Sequence, residues 1–189
     1  SRSIRPRGQN LRFNWNAPFI LSNHNSRVVY FGAQNLFRSV NRGDTWEAIS
    51  PDLTTNDASK LSHGKNSVTP ENTGAERHCT IVTIGESPLN PGTLYVGTDD
   101  GLVHLTQDDG KTWTNLTPNI PDLPAGLWCS RVLASRHVAS RAYATFDSHR
   151  SNDFNPYVYV TEDFGKTWAK LNQGLPTGDS IYVIKEGHV

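Results

Sequence analysis

The octamer TQDDGKTW, residues 106–113, decides the fold because two further copies of its pattern occur in the same chain. SVNRGDTW occupies residues 39–46, and TEDFGKTW occupies residues 161–168. All three fit S/T-x-D/N-x-G-x-T-W, and their tryptophans are 67 and 55 residues apart. A repeat of that length predicts a supersecondary unit of several strands, since it is too long for a hairpin.

Each octamer lies in the same β-rich context. A run dense in β-branched and aromatic residues precedes it, as in TLYVGTDDGLVHLT, and a short strand follows it in WEAIS, WTNLT and WAKLN. A further candidate strand lies upstream in PFILS, CTIVTIG and CSRVLAS, and no segment shows a sustained helical period. Each unit therefore predicts four antiparallel strands, A to D, which is the arrangement of a β-propeller blade.

The predicted fold class is all-β, with three four-stranded antiparallel blades at about 17–50, 79–117 and 129–172. SIYVIKE at 180–186 predicts the first strand of a fourth blade. Closed propellers usually have four to eight blades. We therefore expect residues 1–189 to be one partial β-propeller, a fragment completed by the remaining blades or by another subunit.

The residue types of the octamer suit a turn better than a catalytic site. The third position can accept backbone N–H bonds from its own turn, and the glycine supplies the positive φ that the turn needs. Asn41 stands where the other copies have aspartate, and an amide would abolish a catalytic acid but retain an N–H acceptor. The tryptophan is expected to enter the core between blades. We predict a structural role for Asn41, Gly43, Trp46, Asp108, Gly110, Trp113, Asp163, Gly165 and Trp168.

Composition narrows the class of partner. Eighteen Lys+Arg and eighteen Asp+Glu give a net charge of zero, which predicts no nucleic-acid partner. No apolar run approaches the roughly 18 to 20 residues that a membrane span needs, so no span is predicted in this segment. Cys79 and Cys129 lack zinc-site spacing, which favours two unpaired thiols, and the sequence leaves their pairing open.

The three octamers resemble Asp-box (BNR) repeats, which occur in propellers of sialidases, xyloglucan-cleaving glycoside hydrolases, sortilin-family receptors and photosystem assembly factors. The longer phrases RFNWNAPFILS and DSHRSNDFNPYVYVTEDFGKTW are most similar to bacterial proteins with sortilin-like propellers, often labelled glycosyl hydrolases from their BNR repeats. This resemblance covers nearly the whole chain and implies a propeller with its octamers on the C–D hairpins. It does not select a function, because the same repeat serves enzymes and binding proteins.

Strand direction divides the loops between two faces. Because strands alternate in direction within a blade, the A–B and C–D connections lie on one face, here the octamer face. The B–C and D–A connections lie on the other, here the loop face. The two longest irregular segments, 51–78 and 147–156, both belong to the loop face, and long loops are often functional. The binding candidates there are His63, Glu76, Arg77, His78, Asp99, Asp147, His149, Arg150 and Asp153, with Glu71 and Asp100 nearby.

These side chains allow two interpretations. They suit hydrogen bonding to a sugar or a peptide, or they are solvated loops in which Asp147 and Asp153 cap their own turns. Glycoside hydrolysis needs two carboxylates about 5 to 9.5 Å apart, which Glu76 with Asp147, or Asp147 with Asp153, could supply. His63 and His78 lack further ligands at recognisable spacing, so no metal and no cofactor is predicted.

The leading hypothesis is a non-catalytic recognition or assembly module in an extracytoplasmic setting. It would bind a partner protein, peptide or polysaccharide on the loop face. The alternative is a xyloglucanase-like glycoside hydrolase whose catalytic acids lie in the long loops or outside this segment. A third hypothesis is a purely architectural subunit of a larger complex. No G-x-S-x-G elbow, P-loop or G-x-G-x-x-G follows a strand, and the catalytic residues stay unknown.

Overall fold

The computed structural model describes residues 4–8, 10–61, 77–176 and 178–187. Strands lie in chain order in three four-stranded antiparallel sheets, which confirms the predicted all-β fold with three blades. Blade one contains β1 (Phe19–Leu21), β2 (Val29–Gly32), β3 (Leu36–Ser39) and β4 (Glu47–Ala48). Blade two contains β5 (Ile81–Glu86), β6 (Leu94–Thr98), β7 (Val103–Thr106) and β8 (Thr114–Asn115). Blade three contains β9 (Trp128–Ala134), β10 (Ala142–Asp147), β11 (Tyr157–Thr161) and β12 (Ala169–Lys170).

Helical structure in the described residues is limited to short pieces. The helix α1 spans Ala58–Leu61, and single 3₁₀ turns span Thr117–Asn119 and His149–Ser151. The outer strands β4, β8 and β12 have two residues each, and all six are exposed. Short exposed edge strands leave little backbone free to pair with other chains.

Blade two is buried on both faces because the other two blades pack against it. All five residues of β6 are buried. Leu94 and Val96 contact Tyr30 and neighbouring side chains of blade one, whereas Tyr95 lies in the cluster shared with blade three. This explains the continuous hydrophobic character of its inner strands, which is typical of sheets covered on both sides. Cys79 and Cys129 are buried and free.

The octamer forms the same turn in each blade. The fourth and fifth residues both have positive φ, as in Asp109 (61°) and Gly110 (89°). Asp108 Oδ1 accepts the Thr112 backbone N–H at 2.9 Å, and its Oδ2 accepts the Thr112 hydroxyl at 2.6 Å. In blade one, Asn41 Oδ1 accepts the equivalent backbone N–H at 2.9 Å. One side-chain oxygen therefore closes the turn whether the residue is an acid or an amide.

Two of the octamer tryptophans donate a hydrogen bond to the segment that precedes their blade, whereas the buried Trp168 Nε1 has no partner among the described residues. Trp113 Nε1 donates to the Ile49 carbonyl, at the end of blade one, over 2.9 Å. Trp46 Nε1 donates in the same way to the Ile4 carbonyl over 2.8 Å. Residues 4–8 therefore contact blade one in the way that the end of strand D of blade one contacts blade two. The sequences of the two segments agree with this, since SIRP at 3–6 and AISP at 48–51 both have the pattern x-I-x-P.

A buried glutamate joins blade two to blade one. Glu86, on β5, accepts the Ser22 hydroxyl over 2.8 Å and the Tyr30 hydroxyl over 3.4 Å. Its second oxygen accepts the Asn23 backbone N–H. We call this set of contacts the glutamate clasp. It ties strand A of one blade to the A–B loop and strand B of the blade before it.

The same clasp holds residues 180–187 against blade three. Glu186 accepts the Ser135 hydroxyl over 2.7 Å, the Arg136 backbone N–H over 2.7 Å and the Tyr143 hydroxyl over 3.2 Å. No strand is assigned at 180–186, where we predicted one, because these residues have no ladder partner in the described part of the chain. Their side-chain contacts are nevertheless those of a first blade strand.

The junction between blades two and three lacks the clasp. Ala134 occupies the position of Glu86 and Glu186, and the buried Tyr95 hydroxyl has no hydrogen-bond partner among the described residues. Leu105 and Phe164 pack in this cluster. At the corresponding positions of the first junction, Arg38 and Asp109 form an ion pair. At these positions the junction between blades one and two is polar, and the junction between blades two and three is apolar.

Candidate functional site

Hydrogen bonds between the D–A and B–C segments hold the loop face together. The Thr55 backbone N–H and hydroxyl both donate to Asp100 Oδ2 over 2.7 Å. Asp100 Oδ1 accepts the Thr98 hydroxyl over 2.5 Å. Asp100 is 2% exposed, so the role of its carboxylate is to hold the start of the long loop in place.

Asp99 fills a similar role one residue earlier. Its oxygens accept the Thr80 backbone N–H over 2.8 Å and the Thr80 hydroxyl over 2.7 Å. Asn14 donates to the same carboxylate over 3.4 Å, and His78 Nδ1 lies 3.5 Å from it. The structure thus brings two predicted site residues, His78 and Asp99, into contact. Asp99 is buried, and the imidazole at its edge is partly exposed.

Asp147 organises the predicted cluster of blade three. Its carboxylate is buried at the end of β10 and contacts His149 Nδ1, while Arg150 Nη1 lies 3.6 Å away. The Arg150 guanidinium stacks over the Trp128 ring, 4.5 Å from the ring centroid. His149 and Arg150 remain substantially exposed. The acid therefore lies beneath a surface of imidazole, guanidinium and indole.

Asp153 lies in the same loop but has its own partners. It accepts the Tyr157 hydroxyl over 2.7 Å and the Asn155 backbone N–H over 3.0 Å. These bonds lower the pKa of the Asp153 carboxyl, the Asn155 N–H contributing most. A carboxyl with a lowered pKa stays ionised at neutral pH, so Asp153 suits a turn-capping role better than that of a general acid.

Two predicted residues, His63 and Glu76, lie outside the described residues. The structure includes Arg77, which borders a cavity that is also lined by Arg5, Arg7 and Arg12. Sequence reasoning missed Trp15, the most exposed large hydrophobic side chain in the described part of the chain at 75%. Its neighbour Asn14 is bonded to Asp99, which places Trp15 on the loop face. A tryptophan between two asparagines, in NWN, was the available signal.

A second cavity opens between blade two and the connection that follows it. It has a volume of about 510 Å³ and lies between Asp100 and Leu102 on one side and Leu123 and Pro124 on the other. Lys60 lies at its edge. This cleft is on the loop face, because the segments that line it are B–C and D–A connections.

The described residues hold no group of three or more His, Cys, Asp or Glu side chains placed to bind a metal ion. Nor does any helix within the described ranges have the length and hydropathy needed to cross a membrane.

Comparisons with known proteins support the propeller fold. No protein-family model matches the chain. It is 25% identical to a probable oligoxyloglucan-reducing end-specific xyloglucanase of Neosartorya fischeri, with 82% of this chain and 21% of that protein covered. The GH74 enzyme of Niastella koreensis has 20% identity and a TM-score of 0.49, with coverages of 84% and 21%. YCF48 of Cyanidioschyzon merolae has 16% identity and a TM-score of 0.54, with coverages of 90% and 39%.

YCF48 is a β-propeller protein, and this chain corresponds to part of a larger propeller. The chain spans about a fifth of the length of the curated relative that it matches. At these identities the structural likeness extends to the fold alone.

Proposed function

We propose that this chain is a recognition or assembly part of a β-propeller and that it binds a partner protein, peptide or glycan on its loop face. The proposal rests on one observation: most acidic groups of this face are bonded within the protein, while its large aromatic and basic side chains are exposed. Asp99 and Asp100 bind donors of the D–A connection and Asp153 binds donors near its own loop, whereas Trp15 and Arg150 remain exposed. Tryptophan and arginine are the residues that contribute most to binding energy at interfaces.

The state of the carboxylates favours binding over hydrolysis. A glycoside hydrolase needs one acid that can donate a proton to the leaving group and a second that attacks or activates water. Asp153 has a lowered pKa, and Asp147 is covered by His149 and Arg150. An ionised Asp153 has no proton to donate, and the covered Asp147 is not open to a substrate, so neither matches the general acid that hydrolysis requires. An extracytoplasmic setting is part of the proposal.

The experiment is a binding screen of the intact protein against immobilised polysaccharides and a peptide array. We expect at least one ligand whose binding weakens at least roughly tenfold in the Trp15→Ala and Arg150→Ala variants, the effect of removing an interface hot spot. Lys111→Ala, in the octamer of blade two, is the matched control and should bind as the parent does. A ligand lost in Lys111→Ala but retained by both loop-face variants would contradict the assignment of the face.

A second candidate function is glycoside hydrolysis of a xyloglucan-like polymer, favoured by the 25% identity to a probable xyloglucanase. Its catalytic acids would lie in the long loops or outside residues 1–189. Release of reducing ends from xyloglucan by the intact protein tests it, with Asp147→Asn as the diagnostic variant. Turnover that this variant abolishes supports the hydrolase, and binding without turnover supports the recognition module.

A further inference from the structure

A cavity of about 660 Å³ on the loop face is lined by four arginines: Arg5, Arg7, Arg12 and Arg77. Three of them belong to residues 5–12, and the fourth lies near the end of the long D–A segment, 51–78. The Arg77 backbone N–H donates to the Phe13 carbonyl over 3.3 Å, which brings the two segments together. Leu11 and Phe13 complete the wall. We call this feature the arginine cleft.

Two of these arginines are oriented by the protein itself. Arg12 is largely buried, donates to Asp52 over 2.7 Å and donates to the Cys79 carbonyl over 3.1 Å. It therefore anchors the cleft to blade one and blade two. The Arg5 guanidinium lies 4.8 Å from the centroid of the Phe13 ring, a cation–π contact that holds it over the wall.

Among the described residues, one acid pairs with the arginines of the cleft. Within the described ranges, Arg5, Arg7 and Arg77 have no acid at ion-pair distance, and Asp52 pairs with Arg12 alone. The Arg77 Nε is buried without a hydrogen-bond partner. A buried guanidinium N–H that lacks an acceptor is costly, so an anionic ligand that supplies one gains binding energy. The concentration of positive charge is local, since the whole chain is neutral.

We propose that the arginine cleft binds an acidic peptide segment, whose carboxylates pair with Arg5, Arg7 and Arg77. This inference rests on the proposed function and names its ligand class. Guanidinium groups bind carboxylates with two parallel hydrogen bonds, and the apolar wall at Leu11 provides contact for a peptide side chain. A neutral polysaccharide would leave the charge unmatched. The zero net charge disfavours a nucleic acid, which needs an extended basic field.

The experiment selects nine-residue peptides from a randomised phage-displayed library on the intact protein. We expect Asp and Glu to be enriched in the selected peptides. The best peptide should bind at least roughly tenfold more weakly to the Arg5→Gln/Arg7→Gln/Arg77→Gln variant, since each lost charge-assisted pair accounts for about that factor. Its version with Asn and Gln in place of the acids should bind the parent protein equally weakly. Arg12 is left in place because it holds Asp52.

The control removes equal charge elsewhere. Lys111→Gln/Lys166→Gln/Arg42→Gln neutralises three cations of the octamers and should keep the peptide affinity within about twofold, since distant exposed charges are screened. Circular dichroism of both variants checks folding. Selected peptides without acid enrichment, or equal losses in both triple variants, would overturn the proposal. Selected peptides that are not acidic but whose binding depends on Arg150 would contradict the acidic-peptide proposal and support the proposed recognition function. If the loop face selects no peptide and no glycan, both the acidic-peptide proposal and the proposed function are wrong.

Discussion

Tyr30 donates its hydroxyl to Glu86 across the junction between blades one and two, whereas the equivalent hydroxyl of Tyr95 is buried at the next junction with no partner in the part of the chain that the structure describes. The two tyrosines occupy the same position of strand B and differ in what faces them. Glu86 faces the first, and Ala134 stands at that position for the second. The same side chain therefore has different energetic consequences in adjacent blades.

We expect Tyr30→Phe to destabilise the protein by about 1 kcal/mol, because it removes one hydrogen bond from a buried carboxylate. Tyr95→Phe should leave the stability unchanged or raise it, because it removes a buried hydroxyl that has no partner. Urea unfolding of the two variants measures the difference. Equal losses in both would show that the Tyr95 hydroxyl is satisfied in solution.

Glu86→Ala should cost about 3 kcal/mol, since it leaves the buried Tyr30 hydroxyl and the partly buried Ser22 hydroxyl without an acceptor. Glu162→Ala is the matched control. Glu162 is largely exposed and pairs with Arg141 at the surface, so its loss should cost less than about 1 kcal/mol. The comparison uses denaturant midpoints at equal slopes. A cost for Glu86→Ala no greater than that of the control would contradict the clasp as a stabilising feature.

Gly110→Ala should be among the most damaging single-methyl additions. The new Cβ would lie 2.5 Å from the Ile49 carbonyl oxygen, and the backbone has a φ of +89°. Gly174 has a similar φ of +80° with nothing within 4 Å, so Gly174→Ala isolates the cost of the backbone conformation. We expect about 1 kcal/mol for Gly174→Ala and at least about 3 kcal/mol for Gly110→Ala. Thermal unfolding should rank the two variants in this order.

The octamer aspartates predict an acid-sensitive stability. Hydrogen bonds from Thr112, with a further one from Thr106, lower the pKa of Asp108 to about 2, and bonds from Thr167 do the same for Asp163. The folded-state pKa values lie below the unfolded value of about 3.9, so this stabilisation is present above pH 4 and is lost as the pH falls towards 2.

In the Asp108→Asn/Asp163→Asn variant, the free energy of unfolding should therefore fall less steeply between pH 4 and pH 2. At pH 7 the variant should still fold, because Asn41 makes the same turn in blade one. Urea titrations at several pH values provide the measurement. A variant with the same acid slope as the parent would assign the loss to other carboxyls.

The octamer could be predicted from sequence because its hydrogen bonds span only two to four residues, as between Asp108 and Thr112. Its residue types therefore encode its geometry directly. The positive φ of the fourth residue was not predicted, since Arg42, Asp109 and Phe164 share no residue type that favours it.

The glutamate clasp was not predicted because its partners lie 56 to 64 residues apart. One signal was available. Ser22, Ser87 and Ser135 each precede a strand B tyrosine by eight residues, although the clasp forms only where a glutamate faces them and Ala134 faces the second pair. The arginine cleft has no such signal, since it depends on chain segments that only the fold brings together. The predicted roles of His63 and Glu76 stay predictions.

The clasp also changes what counts as a transferable part of this protein. Glu86 lies on the first strand of blade two but satisfies Ser22 and Tyr30 of blade one. A graft that exchanges whole sheets would separate this acid from its donors. The unit that contains the acid together with all its donors runs instead from the A–B loop of one blade to the end of strand A of the next, from residue 22 to residue 86. Recombination between related propellers should succeed most often where strand A ends, just before the A–B loop.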